Sequence, residues 1–325
     1  MYHYRDLLND DESWQGLLIE GQWFADHRLE VCSSPNYRIK VLLDGEPILW
    51  ASASRDYWGI WILPSNDFWT RAKKLLPPIR SNEVLEDESE AVYYRRWARY
   101  FVTNLYEQRD VGEAKTATQW QLSKGYVRST KHSNRYNLLA DVASAFNTES
   151  PIWIPWGIGG SGSVVAIRAI NENDTGRIKW YRKLVRQQLC PPVLVWYLSA
   201  IDSYLVIDGH CRFQAYLLEE ELPNFLILSE RINIKVDPEA KRPMQESVLR
   251  AIKQRKHHRY KSALDVDSVN NLLISTYDDR PIPRMITRAK FSDNEQLWME
   301  EVELECAKID CDPENLDMML RRESL

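Results

Sequence analysis

Two short apolar runs in the second half of the chain constrain its fold more than any other feature. Val193–Leu198 and Tyr204–Ile207 are continuous and too short for ordinary helices. Runs of this kind are typical of strands buried on both faces, so helices are expected around them. The same region predicts strands at Ser163–Arg168 and Phe225–Leu228, and helices from Asp174 or Thr175 to Leu189 and from His210 to Glu220.

The first half predicts antiparallel β structure within residues 14–63. Asp44-Gly45 lies between two β-prone segments and is a strong signal for a two-residue hairpin. The predicted strands are Tyr37–Leu43, Pro47–Ser52 and Trp58–Leu63. Further along, the pattern predicts helices over Ala91–Arg109 and Asn137–Phe146, and a loop over 151–162, where Gly and Pro are dense.

Together these patterns predict an α+β fold in three segments. Residues 1–150 form an N-terminal, antiparallel β-rich domain, residues 151–235 an α/β domain, and residues 236–325 a helical C-terminal extension. Of the 13 Trp residues, 12 precede residue 200, which is typical of a Trp-rich core and also fits an aromatic ligand groove.

Composition excludes several classes of protein. The net charge of −5 argues against a generic nucleic-acid coat, which needs a basic surface. No apolar run approaches the ~18 residues of a membrane span, and the acidic first twenty residues do not resemble a signal peptide, so a cytoplasmic protein without membrane contact is expected. The five scattered Cys residues predict neither a disulfide framework nor a zinc or other metal site, and a reducing compartment is expected.

Most of the chemical signal lies where the second apolar run ends. Asp208-Gly209 turns the chain into a helix that begins with His210, Cys211 and Arg212. A helix start offers free N–H groups and partial positive charge, Gly permits close approach of a ligand, and Arg adds a bidentate fork. The pattern therefore predicts a phosphate site. The alternative is a His and an Arg satisfied by the protein at an ordinary strand-to-helix turn.

This pattern resembles the ParB/sulfiredoxin fold family over residues 163–229. The resemblance rests on Asp208-Gly-His-Cys-Arg212 with Ala215, preceded by Ala166-Ile-Arg168, the helix entered at Arg177-Ile178, and Pro191–Trp196. It implies binding of ATP, ADP or CTP phosphates at the start of the helix after the turn. By the same resemblance, the motif arginine is Arg212, and Arg177 and Arg168 assist.

The closest variant of the motif is Asp-Gly-His-His-Arg of the ADP-dependent free-serine kinases in this fold, from which only Cys211 departs. In sulfiredoxin the reacting Cys would stand at His210, so sulfinic-acid reductase activity is not expected. The Gly-Glu-Arg-Arg motif of the ParB CTPases is also absent. Glu172 is the only nearby candidate for the upstream catalytic Glu of the kinases.

The predicted function is therefore nucleotide binding, with phosphoryl transfer or nucleotide hydrolysis assisted by Mg²⁺ if the protein is an enzyme. The candidate catalytic residues are His210, Asp208 and Cys211, and the candidate nucleotide-binding residues are Gly209, His210, Cys211, Arg212, Arg177 and Arg168. The substitution Arg212→Ala is expected to abolish nucleotide binding and to leave the fold intact.

Two alternatives come from the flanking regions. The first is a non-catalytic regulatory or bacterial immunity-type protein whose acidic surface meets a basic protein partner. The second is a DNA-associated protein, a ParB-like nuclease or a nucleotide-switched DNA binder. The basic run 250–261 favours the second, and its candidate DNA contacts are Lys253, Arg255, Lys256 and Arg259.

Overall fold

The α+β fold class is confirmed by a computed structural model with two sheets and six labelled helices among the residues it describes. These are residues 2–9, 11–21, 28–65, 76–85, 88–107, 119–125, 151–156, 163–166, 170, 172–234, 237–257, 270, 276 and 282–325, with backbone alone at 2, 21, 238, 240, 251–257, 282 and 283. The strands are β1 (Tyr2–Leu8), β2 (Trp14–Gly21), β3 (Leu29–Ser34), β4 (Arg38–Leu43), β5 (Glu46–Ala53), β6 (Gly59–Pro64), β7 (Gln119–Gly125), β8 (Ile152–Pro155), β9 (Ser163–Val165), β10 (Val193–Leu198), β11 (Ser203–Asp208), β12 (Phe225–Ile234), β13 (Ile282–Ile286) and β14 (Ala289–Phe291). The helices are α1 (Glu90–Glu107), α2 (Thr175–Arg186), α3 (His210–Leu218), α4 (Pro238–His257), α5 (Glu295–Ile309) and α6 (Pro313–Arg321).

The chain divides into two compact units, Met1–Glu230 with Ile286–Leu325, and Arg231–Met285. This division does not coincide with the three predicted segments. The reason is strand pairing: β1, β2 and β7 from the N-terminal part lie in one sheet with strands of the α/β part, in the order β1-β2-β7-β12-β10-β11-β9, and β13 pairs with β12. The other sheet has the order β14-β3-β4-β5-β6-β8.

The two apolar runs form central strands of the first sheet, as predicted. β10 pairs antiparallel with β11 and parallel with β12, and β11 pairs parallel with β9. Alternate side chains of the two runs enter two different hydrophobic clusters, one on each face of the sheet, which explains why almost every side chain in them is buried. The turn after β11 therefore starts from a rigid strand, and this fixes where α3 begins.

The second sheet confirms the predicted hairpin. Asp44 and Gly45 have φ angles of 54° and 81°, the left-handed values that a tight primed turn requires at both positions. Leu43 lies opposite Glu46 across this turn. The strands β3 to β6 continue as an antiparallel meander.

The predicted loop over 151–162 is wrong for Ile152–Pro155, which is strand β8. Trp153 lies opposite Trp61 of β6, with ring centroids 5.1 Å apart. β8 is an edge strand, where proline is tolerated because no neighbour needs its missing N–H. Of the residues that suggested a loop, Pro151 precedes this edge strand and Pro155 ends it. Residues 157–162 and the predicted helix Asn137–Phe146 lie outside the described residues.

The C-terminal segment is also less uniformly helical than predicted, since it contains β13 and β14 as well as three helices. β14 adds to the second sheet by pairing parallel with β3. Helix α5 buries Trp298 against this sheet, where its indole N–H donates to the Ile39 carbonyl at 2.9 Å. Beside it, Arg38 donates to Glu295 at 2.6 Å.

A disulfide joins Cys306 and Cys311, contrary to the expectation drawn from cysteine spacing. The pairing follows from the end of α5. Asp310 adopts a left-handed conformation there, and the Cys311 amide donates to the Cys306 carbonyl, so the chain folds back on its own last turn. Cys32, Cys190 and Cys211 are not part of a disulfide.

One hydrophobic core cluster spans residues from both sheets and from α1. Trp97 and Phe101 of α1, the helix predicted over Ala91–Arg109, are fully buried in it. Among the described residues, no helix combines the length and apolar character needed to cross a bilayer.

The role of α5 in stability is testable with Trp298→Ala. We expect the free energy of unfolding to fall by about 3–5 kcal/mol, because the change removes a large buried ring and leaves a cavity. The control is Leu304→Ala on the same helix, whose side chain is 66% exposed, and its effect should stay within about 0.5 kcal/mol. Urea denaturation measures both variants, and equal effects would contradict the packing of α5 on the second sheet.

Candidate functional site

A pocket of about 300 Å³ lies where β11 meets α3. It brings together five of the six predicted nucleotide-binding residues and the predicted catalytic residue Asp208, although they come from two separate helices and a turn. They are Arg177, Asp208, Gly209, His210, Cys211 and Arg212, of which Asp208 was predicted as a catalytic residue. The remaining predicted nucleotide-binding residue, Arg168, lies outside the described residues.

Gly209 is required here for two reasons. It is the N-cap residue of α3 and has a φ angle of +100°, which residues with a side chain rarely adopt. A Cβ atom at this position would also lie 2.7 Å from Nη2 of Arg212. The close approach that glycine permits is therefore used by the protein's own guanidinium, and a role for Gly209 in phosphate binding stays a prediction.

Arg212 is part of a buried ion pair. Its side chain is 3% exposed, and Nη2 donates to Oδ2 of Asp208 at 2.5 Å. The guanidinium carbon lies 5.7 Å from the ring centroid of Tyr181 and 5.9 Å from that of Phe101. Burial disfavours the charged form, but the Asp208 carboxylate and Tyr181 outweigh it and hold the pKa of Arg212 above its usual value. The predicted bidentate fork for a ligand is thus engaged inside the protein.

His210 and Cys211 line the pocket with little exposed surface. His210 is 1% exposed. Cys211 packs in a hydrophobic cluster with Ile178 and Ala215, and its thiol donates to Oδ1 of Asp174 at 3.4 Å. These surroundings favour packing roles for both side chains, whereas Asp208, with 28% of its side chain exposed, can meet a ligand. The catalytic roles suggested for all three residues stay predictions.

Arg177 is the exposed cation of the pocket. It lies in the first turn of α2, and within the part of the chain that the structure describes it forms no ion pair. The charge of Arg177 also acts on Tyr181 in the pocket lining. Burial raises the pKa of Tyr181, and the positive charges of Arg212 and Arg177 both oppose that rise. Among the predicted residues that the structure describes, Arg177 is therefore the cation best placed to bind an anion.

The formal charges of the lining are balanced. Two carboxylates, Asp174 and Asp208, face two guanidinium groups, Arg177 and Arg212. A bare polyphosphate would meet carboxylate repulsion as well as cationic attraction. Within the described residues, no cluster of three or more His, Cys, Asp or Glu side chains could hold a metal ion without help from a ligand.

Sequence reasoning missed the rest of the lining. Leu76, Pro77, Pro78 and Ile79 form an apolar wall, which we call the Pro wall. The adjacent prolines indicate a stiff segment. No local sequence pattern predicts that this segment lies beside the turn Asp208–Arg212, which comes much later in the chain. Asp174 was considered only as a helix cap; its side chain makes no capping hydrogen bond and accepts from Cys211.

The candidate DNA contacts cannot be assembled into an interface. Lys253, Arg255 and Lys256 lie on helix α4, for which the structure describes the backbone alone at these positions, and Arg259 lies outside the described residues. The DNA interface stays a prediction.

Comparison with family models, curated proteins and solved structures finds no match for this chain.

The buried ion pair is testable with Arg212→Ala. We expect a loss of about 3 kcal/mol in the free energy of unfolding, because the substitution leaves Asp208 without its buried partner. This differs from the sequence-based expectation of an intact fold. The control is Arg321→Ala, which breaks an exposed pair with Asp317 at the same i,i+4 spacing and should cost less than about 0.5 kcal/mol. Denaturation of both variants decides, and similar losses would contradict the structural role of Arg212.

A second prediction concerns the contact that joins α2 to the end of α3. Glu219 accepts hydrogen bonds from Arg186 and Arg182, which lower its pKa from 4.5 to about 2. Because the folded-state pKa is depressed, this contact stabilises the fold above about pH 4.5 and its contribution is lost as the pH falls toward 2. Glu219→Gln should therefore be less stable than the wild type at pH 7, and the difference should shrink toward pH 2.

Stability curves between pH 2 and 7 measure this effect. The control is Glu303→Gln, which removes one exposed carboxylate on α5. A difference for Glu219→Gln that stays constant with pH would show that these contacts do not form.

Proposed function

We propose that this protein binds a nucleoside di- or triphosphate in the pocket between β11 and α3, and that residues 163–229 form a domain of ParB/sulfiredoxin type. The observation that carries the proposal is the convergence of Arg177 with the turn Asp208–Arg212 on one pocket at the start of a helix. Strands β10 and β11 lie between Arg177 and this turn along the chain, so the tertiary fold brings the two together.

The order of elements supports the same proposal. The chain runs β9, α2, β10, β11, α3, β12, and the pocket lies at the end of β11, where the resemblance implies a nucleotide. Gly209, the N-cap residue of α3, provides no side-chain cap. The first turn of a helix without such a cap favours an anion, because its N–H groups carry partial positive charge.

We assign the phosphate contacts chiefly to Arg177 and to the first turn of α3. Arg177 is exposed and can reach a ligand, whereas Arg212 lies beneath Gly209 and contributes its charge at a distance. In this arrangement Arg212 supports the turn, and Arg177 takes the part that the motif arginine has in the sequence-based prediction.

The two carboxylates of the pocket fit a Mg²⁺ ion that arrives with the ligand. Mg²⁺ is commonly held by one or two carboxylates together with substrate phosphates, and Asp208 and Asp174 are the carboxylates in the lining. Such an ion would neutralise phosphate charge and support phosphoryl transfer or hydrolysis. The chain's own contribution is to hold the phosphates beside the carboxylates with Arg177 and the α3 amides.

The test is the change in melting temperature, and the affinity by calorimetry, with ATP, ADP, CTP and GTP in the presence and absence of Mg²⁺. We expect Mg²⁺-dependent binding. Arg177→Ala should weaken it about tenfold, since a charge-assisted contact to phosphate is lost. The control is Lys179→Ala, an exposed cation on the same helix, which should leave the affinity unchanged.

Absence of binding by all four nucleotides would overturn the proposal and favour the regulatory protein. Equal losses in the Arg177 and Lys179 variants would show that only the overall charge of α2 matters. A DNA mobility shift that disappears when Lys253, Arg255 and Lys256 become Ala would instead favour the DNA-associated protein.

A further inference from the structure

The Pro wall differs in chemistry from the rest of the pocket. Leu76 and Ile79 are buried, at 7% and 5% exposure, so they support the wall from behind. Pro77 is half-buried and Pro78 is exposed. A ligand in the pocket therefore meets two proline rings on this part of the lining, and mainly carboxylate, guanidinium and amide groups, together with Ile207 and Tyr181, on the rest.

A ligand that fills such a pocket has an anionic part and a flat apolar part. The anionic part belongs beside Arg177 and the start of α3, and the apolar part against the Pro wall. The volume of about 300 Å³ is at the lower end for small-molecule sites, so it fits a compact ligand such as a nucleotide rather than a long chain.

We infer that the Pro wall holds the base of the nucleotide and does so with little selection among bases. This inference rests on the proposed nucleotide binding. The four side chains of the wall carry no hydrogen-bonding atom, and Pro77 and Pro78 also lack a backbone N–H. Discrimination between bases needs donors and acceptors that match the ring edge, because apolar contact alone distinguishes ligands of similar shape poorly.

The inference assigns a role to the N-terminal half of the chain. Residues 163–229 supply the groups proposed to bind phosphate, and Leu76–Ile79 supply the surface for the base. Both belong to the same compact unit.

The experiment compares the affinities of the Mg²⁺ complexes of ATP, GTP, CTP and inorganic tripolyphosphate by calorimetry. For the wild-type protein we expect the three nucleotides to agree within about fivefold and to bind about tenfold more tightly than tripolyphosphate, because burial of a ring adds apolar contact. Pro78→Asn should weaken nucleotide binding about fivefold, since it replaces apolar contact with a polar amide, and should leave tripolyphosphate binding unchanged.

The matched control is Pro155→Asn, which changes an exposed proline of β8 outside the pocket and should alter neither affinity. A preference for one base above about twentyfold would require specific hydrogen bonds and would overturn the inference. Tripolyphosphate binding as tightly as ATP would overturn the role of the Pro wall and leave the proposed phosphate site standing. Failure of all four ligands to bind would refute the proposed function itself, and the inference with it.

Discussion

The contact between Arg212 and Asp208 determines how the whole site is built. A guanidinium that is almost completely buried needs a carboxylate beside it, since the cost of removing both charges from water is recovered only with good geometry. Asp208 provides that partner at the end of β11, and Gly209 leaves the space that the guanidinium fills. This ion pair thus links the end of β11, the turn at Gly209 and the start of α3. The pocket above them keeps its shape because its floor is fixed.

The two arginines of the pocket, Arg212 and Arg177, differ in burial and therefore in what they can contact. The buried Arg212 holds the turn, and the exposed Arg177 remains available to a ligand. The contacts of Glu219 with Arg182 and Arg186 join α2 to the end of α3. They therefore help to fix the distance between Arg177 on α2 and the start of α3. A binding residue placed on a supported helix keeps its geometry better than one on a loop.

Much of this could be predicted wherever the pattern is local. The apolar runs of β10 and β11 and the Asp44-Gly45 hairpin carry their own signals, and each was found where predicted. The partner of Arg212 was missed because Asp208 was assigned to the turn before the helix and considered only as a candidate catalytic residue. β8 was missed because an edge strand tolerates proline, which usually marks a loop. The Pro wall could not be predicted, since its place depends on pairing between strands that are far apart along the chain.

The parallel pairing of β14 with β3 has a consequence for how the chain matures. Ala289 to Phe291 lie beside Val31 to Ser33, so the edge of the second sheet is covered by residues that are distant along the chain. During synthesis on the ribosome, the edge of β3 stays open until Ala289 to Phe291 have been made. Open strand edges recruit other chains, and contacts between distant residues form slowly. The growing polypeptide is therefore most exposed to aggregation during this interval, when shielding by a chaperone would matter most.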